Sequence, residues 1–317
     1  MRTAGPRRFR ISEPAILVLA GIIVAMIVFG ALASDRFASV KNATNVLEQA
    51  APLGFAALGQ MLVVVSGGID LSIGAIVAVS SVLLAGTVNG SGTLMMPMLV
   101  AVLSLGAAIG ALNGVITLRT GVHPLIVTLG MSSILNGLVL LYTLQPVGKA
   151  PVWFEEFAFG RILGMPMAGV VMLGASALVA LFLRYHPSGR SIYALGGNRE
   201  AARLSGIPID RTTILAYAAS GFLAALAGAY FVSRTGVGDP RVGDMMTLAS
   251  ITPVVVGGAV LGGGRGRVLG TLLGVLMVSL LNNLLNYLSV STFYQWVIQG
   301  LIIIAAVAIF VDRSKRL

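Results

Sequence analysis

Ten apolar runs, cut apart by short charged or turn-forming segments, constrain this chain more than any motif does. They fall at roughly 14–33, 46–66, 71–88, 95–118, 124–144, 165–183, 213–233, 247–261, 268–286 and 293–311, most of them near the ~20 residues that cross a hydrocarbon layer. With 57% apolar and 10% charged residues and a mean hydropathy of +0.96, a water-soluble fold could not cover such a surface, so the solvent is lipid. Each run must then satisfy its own backbone polar groups, which in lipid means helices. The expected fold class is an all-α polytopic membrane protein of about ten transmembrane helices, one domain over 1–317. The run 247–261 is short and carries Pro253, which predicts a tilted, broken or re-entrant helix.

Charge placement tests that count independently. With the N-terminus on the cytoplasmic side, the inside segments hold Arg2, Arg7, Arg8, Arg10, Arg119, Arg184, Arg190, Arg199, Arg203, Arg211, Arg265, Arg267, Arg313, Lys315 and Arg316, which is 15 of the 21 basic residues. The outside holds six basic residues matched by six acidic ones, among them Asp35, Glu48, Asp239 and Asp244, so the whole net charge of +10 lies inside. This is the asymmetry of the positive-inside rule for an even number of spans with both termini cytoplasmic. The cytoplasmic parts are then a basic tail at 1–13, the loop 184–212 and a tail at 312–317. A basic balance explained in this way does not point to nucleic acid.

Several function classes drop out. Arg7, Arg8 and Arg10 before an apolar run ending in Ala31-Leu32-Ala33 imitate a signal peptide, but the run from Pro14 exceeds a signal h-region and reads as the first span. The absence of cysteine excludes disulfides, thiolate metal sites and cysteine nucleophiles. His123 and His186 sit at the ends of runs, far apart in sequence, so neither a metal site nor a catalytic residue is expected. No GxxxxGK[ST] phosphate loop is present, so ATP is hydrolysed elsewhere if at all. Asp70 is the one carboxylate placed to serve ion coupling, which disfavours an ion-coupled carrier, and no channel filter is visible.

Two glycine-rich breaks interrupt the runs: SGGIDLSIG from Ser66 to Gly74, and GGAVLGGGRGRVLG from Gly257 to Gly270. Gate positions are expected at Ser66, Gly67, Gly68, Asp70, Gly262, Gly263 and Gly264. Asp70 is expected to cap the following helix or to pair with a basic gate residue. Spans 2–5 and 7–10, read as repeats five spans apart, would be inverted, with the two breaks near matching ends. The ladders Gly106-Gly110-Gly114 and Gly266-Gly270-Gly274 are packing faces. Gln60, Asn113, Asn136 and Asn282 are expected to line a route for a hydroxyl-rich solute or to bond neighbouring helices, as are Asn283 and Gln299.

The inside loop 184–212 reads RYHPSGRSIYALGGNREAARLSGIPIDRT. Asn198 followed by Arg-Glu-Ala-Ala-Arg-Leu predicts a capped short helix outside the membrane, approached sharply through Gly196-Gly197. It either lies on anionic headgroups or docks a soluble partner through Leu204 and Ile207.

SGGIDLSIGA, YALGGNREAARLSGI from Tyr193, VVVGGAVLGGGRGRVLGT from Val254 and LLNNLLNYLSVSTFYQ from Leu280 together resemble the permease subunit of ribose-type sugar ABC importers, from about residue 40 onward. The resemblance implies a non-enzymatic subunit of the bacterial inner membrane. It would pair with a second permease subunit, receive a monosaccharide from a periplasmic binding protein and rest on cytoplasmic ATPases that hold the ATP and magnesium; no cofactor is expected on this chain. It further implies that Gly197, Asn198, Glu200, Ala201 and Arg203, with Gly196 and Leu204 beside them, form the coupling element. Many members carry Glu-Leu-Asp before the second glycine segment where this chain has Thr247-Leu248-Ala249, leaving a pentose, a hexose or a polyol open. A secondary transporter of a small polar solute is the alternative.

Overall fold

The computed structural model describes residues 12–34 and 36–310. The arginines at 2, 7, 8 and 10, Asp35 and the tail 312–317 lie outside them. The helices in chain order are α1 (Ser12–Ala33), α2 (Val40–Val65), α3 (Ile73–Val88), α4 (Gly92–Thr120), α5 (Pro124–Tyr142), the short α6 (Glu156–Phe159), α7 (Met167–Tyr185), α8 (Pro187–Gly197), α9 (Arg199–Leu204), α10 (Ile209–Thr235), α11 (Met246–Val256), α12 (Val268–Tyr287) and α13 (Thr292–Phe310). A 3₁₀ turn (Val152–Glu155) and a hairpin of β1 (Arg161–Ile162) and β2 (Met165–Pro166) accompany α6. Ten of these helices coincide with the ten apolar runs. Seven of them, α1, α2, α4, α5, α7, α10 and α12, are long and apolar enough to cross a membrane. The polytopic all-helical fold follows, and the count of ten adds to these seven the shorter α3 and α11 and the last helix, α13.

α2 and α10 form the centre. α2 packs on α10, α11 and α12, while α10 packs on α2, α3 and α4; α3 also meets α4 and α5, and α11 also meets α12 and α13. Exchanging α2 with α10, α3 with α11, α4 with α12 and α5 with α13 reproduces this pairing. Equivalent helices lie five spans apart, so they run in opposite directions, and the two repeats are inverted.

The equivalent helices α3 and α11 have 16 and 11 residues, or roughly 24 and 16 Å at 1.5 Å per residue, both short of a ~30 Å hydrocarbon core. Each is completed by an extended segment that runs back into the bundle. Residues 66–72 lead into α3 and lay Ile69 and Leu71 against Ile251 and Val255 of α11. Residues 236–245 lead into α11 and lie against α3, with the Asp239 amide donating to Ser81 Oγ at 3.1 Å. Where the two cross, the Gly74 amide donates to Thr247 Oγ1 at 3.1 Å, and a side chain at Gly74 or Gly243 would strike the other's backbone.

This corrects the expected pairing of the breaks. The counterpart of 66–72 is 236–245, whereas 257–267 lies at the same end of the bundle as 66–72 and touches it. Pro253 falls inside α11, and that helix stops before the length of a full span.

The glycine ladders join helices within the chain. Cβ atoms at Gly106 and Gly110 would overlap the carbonyls of Gly221 and Tyr217 on α10, while at Gly270 and Gly274 they would overlap those of Gly257 and Pro253. The outward faces are apolar instead, as at Leu32, Leu129, Ile134, Leu138 and Leu141, in keeping with lipid as solvent. We expect Gly110→Ala to destabilise the detergent-solubilised protein by about 1–3 kcal/mol, the usual cost of overpacking. Gly130→Ala, on an open face with nothing within 4 Å of the added carbon, should leave the thermal midpoint unchanged or slightly raised.

Candidate functional site

Residues 66–72 are held by polar side chains from three helices. Asp70 is fully buried, and its Oδ1 accepts from the Ser72 amide at 2.9 Å and the Ser72 hydroxyl at 2.6 Å. Its Oδ2 accepts from Ser220 Oγ on α10 at 2.8 Å. Asn113 of α4 donates to Ser72 Oγ at 2.9 Å, and Thr128 of α5 accepts from the Leu71 amide at 3.0 Å. No basic side chain pairs with Asp70 among the described residues. The expected cap is modified accordingly: Asp70 serves the amide just before α3 and crosses to α10, and the first-turn amide of Gly74 goes to Thr247. A carboxylate removed from water is tolerated only with such partners.

At one end of the bundle, three glycine-containing segments interlock. The Gly264 amide donates to the Val65 carbonyl at 2.8 Å, and added Cβ atoms would bring Gly196 into Val65 and Gly264, Gly263 into Gly67 and Gly196, and Gly264 into Gly197. The breaks 66–68 and 262–264 therefore meet at the end of α8. Gly263 and Gly264 also have φ of +88° and +72°, and Gly67 has +93°, conformations that favour glycine. Gly196 and Gly197 do not share this property. They form the last turn of α8, and Gly196 is required by close approach rather than by a sharp turn. Tyr193 on α8 adds a tie, its hydroxyl donating to the Gly266 carbonyl at 2.9 Å. Burial raises the Tyr193 pKa, partly opposed by Arg267, so the phenol stays protonated and remains a donor.

The predicted single short helix of 184–212 is two helices. His186 Nδ1 accepts from the Ser188 amide and begins α8; Asn198 Oδ1 accepts from the Ala201 amide at 2.9 Å and begins α9. His123 caps α5 in the same way. α9 buries Ala202 but exposes Ala201 and Leu204, the latter at 79%. Glu200 and Arg203 pair with each other at 2.7 Å in the open.

A cavity of about 260 Å³ lies between α2, α10, α11, α12 and α13. Its polar lining includes Gln49, Ser279, Asn282, Gln299 and Arg234, with Trp296 and Phe231 as aromatic walls. Gln299 donates to Asn282 Oδ1 at 2.9 Å. Two prolines soften its frame, since neither Pro52 nor Pro253 has an amide to return to its helix; Tyr230 takes over the Glu48 carbonyl that Pro52 leaves, at 2.9 Å.

The four expected pathway residues thus separate. Asn282 lines the cavity, Asn113 is engaged at Ser72, Asn136 is half-buried on α5 away from it, and Gln60 is fully buried below it on α2. Asn283 is structural, exchanging reciprocal amide bonds of 3.0 and 2.9 Å with Asn42. Sequence reasoning missed Ser220, Thr128, Gln49 and Trp296, and named Thr247 for its place in the Thr247-Leu248-Ala249 string without its bond to Gly74. Ser220 could have been suspected as a hydroxyl isolated in the small-residue stretch of α10; the others carry no local signal.

Broken, inverted helices around a polar cavity, with a short helix projecting from a glycine hub, define a membrane transport subunit. The chain matches the family model for the permease component of branched-chain amino acid transport systems over residues 42–307. It is 39% identical over 93% of its length to the ribose import permease of Bacillus subtilis, covering 91% of that protein. It is 38% identical over 95% of its length to the ribose import permease of Escherichia coli K12, covering 92% of it, and 33% identical over 96% to the fructose import permease of Rhizobium meliloti, covering 87%. No solved structure matches the chain. The chain belongs to this permease family, in the ribose-type branch of ABC importers. It is accordingly a transport subunit and not an enzyme, with ATP hydrolysis on a separate subunit.

Replacing Asp70 by Leu strands the Ser72 amide and the Ser220 hydroxyl, each at about 1–3 kcal/mol for a buried unmet donor. Replacement by Asn keeps an acceptor. Thermal midpoints should fall in the order wild type, Asp70→Asn, Asp70→Leu; equal midpoints would show that the network does not hold the break.

Proposed function

We propose that this chain is the permease of an ATP-driven importer that moves a monosaccharide or related polyol across the bacterial inner membrane, with both termini cytoplasmic. Ribose, allose and fructose are named for relatives of this chain. The cavity chemistry supports the same class: amides and a serine to bond hydroxyls, aromatic faces for the apolar side of a sugar ring. In this reading a periplasmic binding protein delivers the solute, a second permease subunit completes the pathway, and ATP with magnesium stays on cytoplasmic ATPases.

The observation that carries the reading is the position of α9. It projects Ala201 and Leu204 outward while its stem, α8, ends in contact with both glycine breaks, so a partner that pulls on α9 pulls on the hub. Gly196 and Gly197 link stem to hub, Asn198 caps α9, and Glu200, Ala201, Arg203 and Leu204 are the proposed contact residues. Conformational change in this scheme is rigid-body movement of one inverted repeat against the other around glycine backbone contacts.

The test is co-purification with the ATPase and a binding-protein-stimulated hydrolysis assay across a panel of pentoses, hexoses and polyols. Glu200→Lys sharpens it. The pair it breaks is exposed and contributes little to the helix, and added positive charge strengthens attachment to anionic lipid. Folding and insertion should be unchanged, while stimulated hydrolysis falls at least tenfold because an unmatched charge enters a packed interface. Full coupling would assign α9 to the membrane surface instead. A proton- or sodium-driven carrier is distinguished by uptake that survives ATP depletion.

Orientation has its own check in this cysteine-free chain. Leu163, fully exposed in the hairpin, should react with an impermeant thiol reagent in intact cells once changed to Cys, and Leu204→Cys should react after permeabilisation alone. The reverse pattern would overturn the cytoplasmic placement of α9.

A further inference from the structure

The end of the bundle that holds the glycine hub carries a second cavity on its flank, of about 190 Å³. Ala180, Leu183 and Arg184 of α7 form one wall, Arg267 and Leu269 at the start of α12 form another, and Tyr193 of α8 joins the lining. No acidic side chain lines it. Both arginines are exposed, and neither forms an ion pair among the described residues, where Glu200 with Arg203 is the one salt bridge. Basic residues at this end of the spans follow from the charge asymmetry. Two guanidiniums from helices remote in sequence, set on one otherwise apolar hollow, need a further reason.

The apolar part of the hollow does not end at the cavity. Arg184 sits in the last turn of α7, its guanidinium 5.2 Å from the centre of the Tyr185 ring. Ala180, Ala177 and Leu173 precede it at three- and four-residue spacing and so share its face of the helix; Ala177 and Leu173 are exposed. On α12, Leu269 is 57% exposed, and Leu272, Leu273 and Leu276 continue its face at the same spacing, each half-buried. Apolar surface therefore runs from the cavity into the span on both helices. Tyr193 ties this corner to the hub, since its hydroxyl holds the Gly266 carbonyl beside Arg267.

We propose that this cavity seats the headgroup of one anionic phospholipid, its phosphate between Arg184 and Arg267 and an acyl chain along the apolar stripes of α7 and α12. Guanidinium forks suit phosphate oxygens, and basic hollows between spans on the cytoplasmic side suit such headgroups. A free phosphate would satisfy the arginines and leave the aliphatic walls and stripes uncovered, whereas a phospholipid covers both. The site is independent of which solute crosses. A lipid seated there rests against Tyr193 and braces α7, α8 and α12 where they meet the hub.

The test uses the full-length chain, purified in detergent and stripped of lipid, with palmitoyl-oleoyl phosphatidylglycerol, phosphatidylcholine of the same chains and inorganic phosphate as probes. Native mass spectrometry should show one phosphatidylglycerol retained per chain, with a raised thermal midpoint, and phosphatidylcholine should give neither effect. Arg184→Gln with Arg267→Gln should cut retention about tenfold or more and abolish the rise in midpoint. Arg119→Gln with Arg211→Gln removes the same charge from exposed residues at the same end but outside the cavity, and should retain the lipid as the wild type does. Ala180→Phe fills the apolar wall and leaves both arginines, so it should lower retention without any change of charge, and it decides the matter if the arginine variant is unstable. Equal loss in the Arg119 and Arg211 variant would reveal a diffuse basic surface, and an equal rise in midpoint with inorganic phosphate an adventitious ion only; either overturns the site. Unchanged retention in the Arg184 and Arg267 variant overturns it as well, and if the ATPase then fails to co-purify, an acidic protein surface is the occupant.

Discussion

The carboxylate of Asp70 is the one charge this fold takes wholly out of water among the described residues, and the arrangement around it follows from that. An unpaired ion at such a depth would be expelled or neutralised, so three donors converge on it, two from Ser72 and one from Ser220. Each donor anchors something else. Ser220 belongs to α10, Ser72 is itself held by Asn113 of α4, and the adjoining backbone is held by Thr128 of α5. The start of α3 is thereby fixed, and with it the crossing point of the two extended segments.

Backbone contact carries the structure elsewhere. Lipid gives no hydrophobic drive for helix association, so close packing must supply it, and the places where this chain packs most closely are glycines against carbonyls. α4 meets α10 through Gly106 and Gly110, α12 meets α11 through Gly270 and Gly274, and the hub joins Gly67, Gly196 and Gly263. Contacts of this kind have no interlocking side chains to extract before they can slide. A hub made of them can change arrangement while the helices around it remain intact.

The spans were legible in the sequence because lipid applies one rule to every crossing segment, so hydropathy and charge reported them independently. α11 was legible as abnormal from its length and Pro253. The true counterpart of the first break was not, because 236–245 reads as a polar surface loop, with Asp239, Pro240, Arg241 and Asp244, and only packing against α3 shows that it enters the bundle. Of the polar residues, composition could nominate Asn282 yet could not separate it from Asn113 and Asn283, whose partners come from helices far away in sequence.

The inverted symmetry is broken where the chemistry sits. A shift of 173 residues carries Gly74 onto Thr247, the pair that meets at the crossing, and the same shift carries Asp70 onto Gly243. One repeat thus fixes its extended segment with a buried carboxylate and three donors, while the other presents bare backbone at the equivalent place and packs against Gly74. Thr247 lies in the first turn of α11, in the Thr247-Leu248-Ala249 string. Its hydroxyl accepts the Gly74 amide, so this side chain serves the joint between the repeats. The cavity lies beside the second segment, lined by Val242, Met245 and Met246. Its walls therefore include a segment held mainly through backbone groups, by Val147 at Gly238 and Ala150 at Gly236 and by Ser81 at the Asp239 amide, in place of a buried carboxylate.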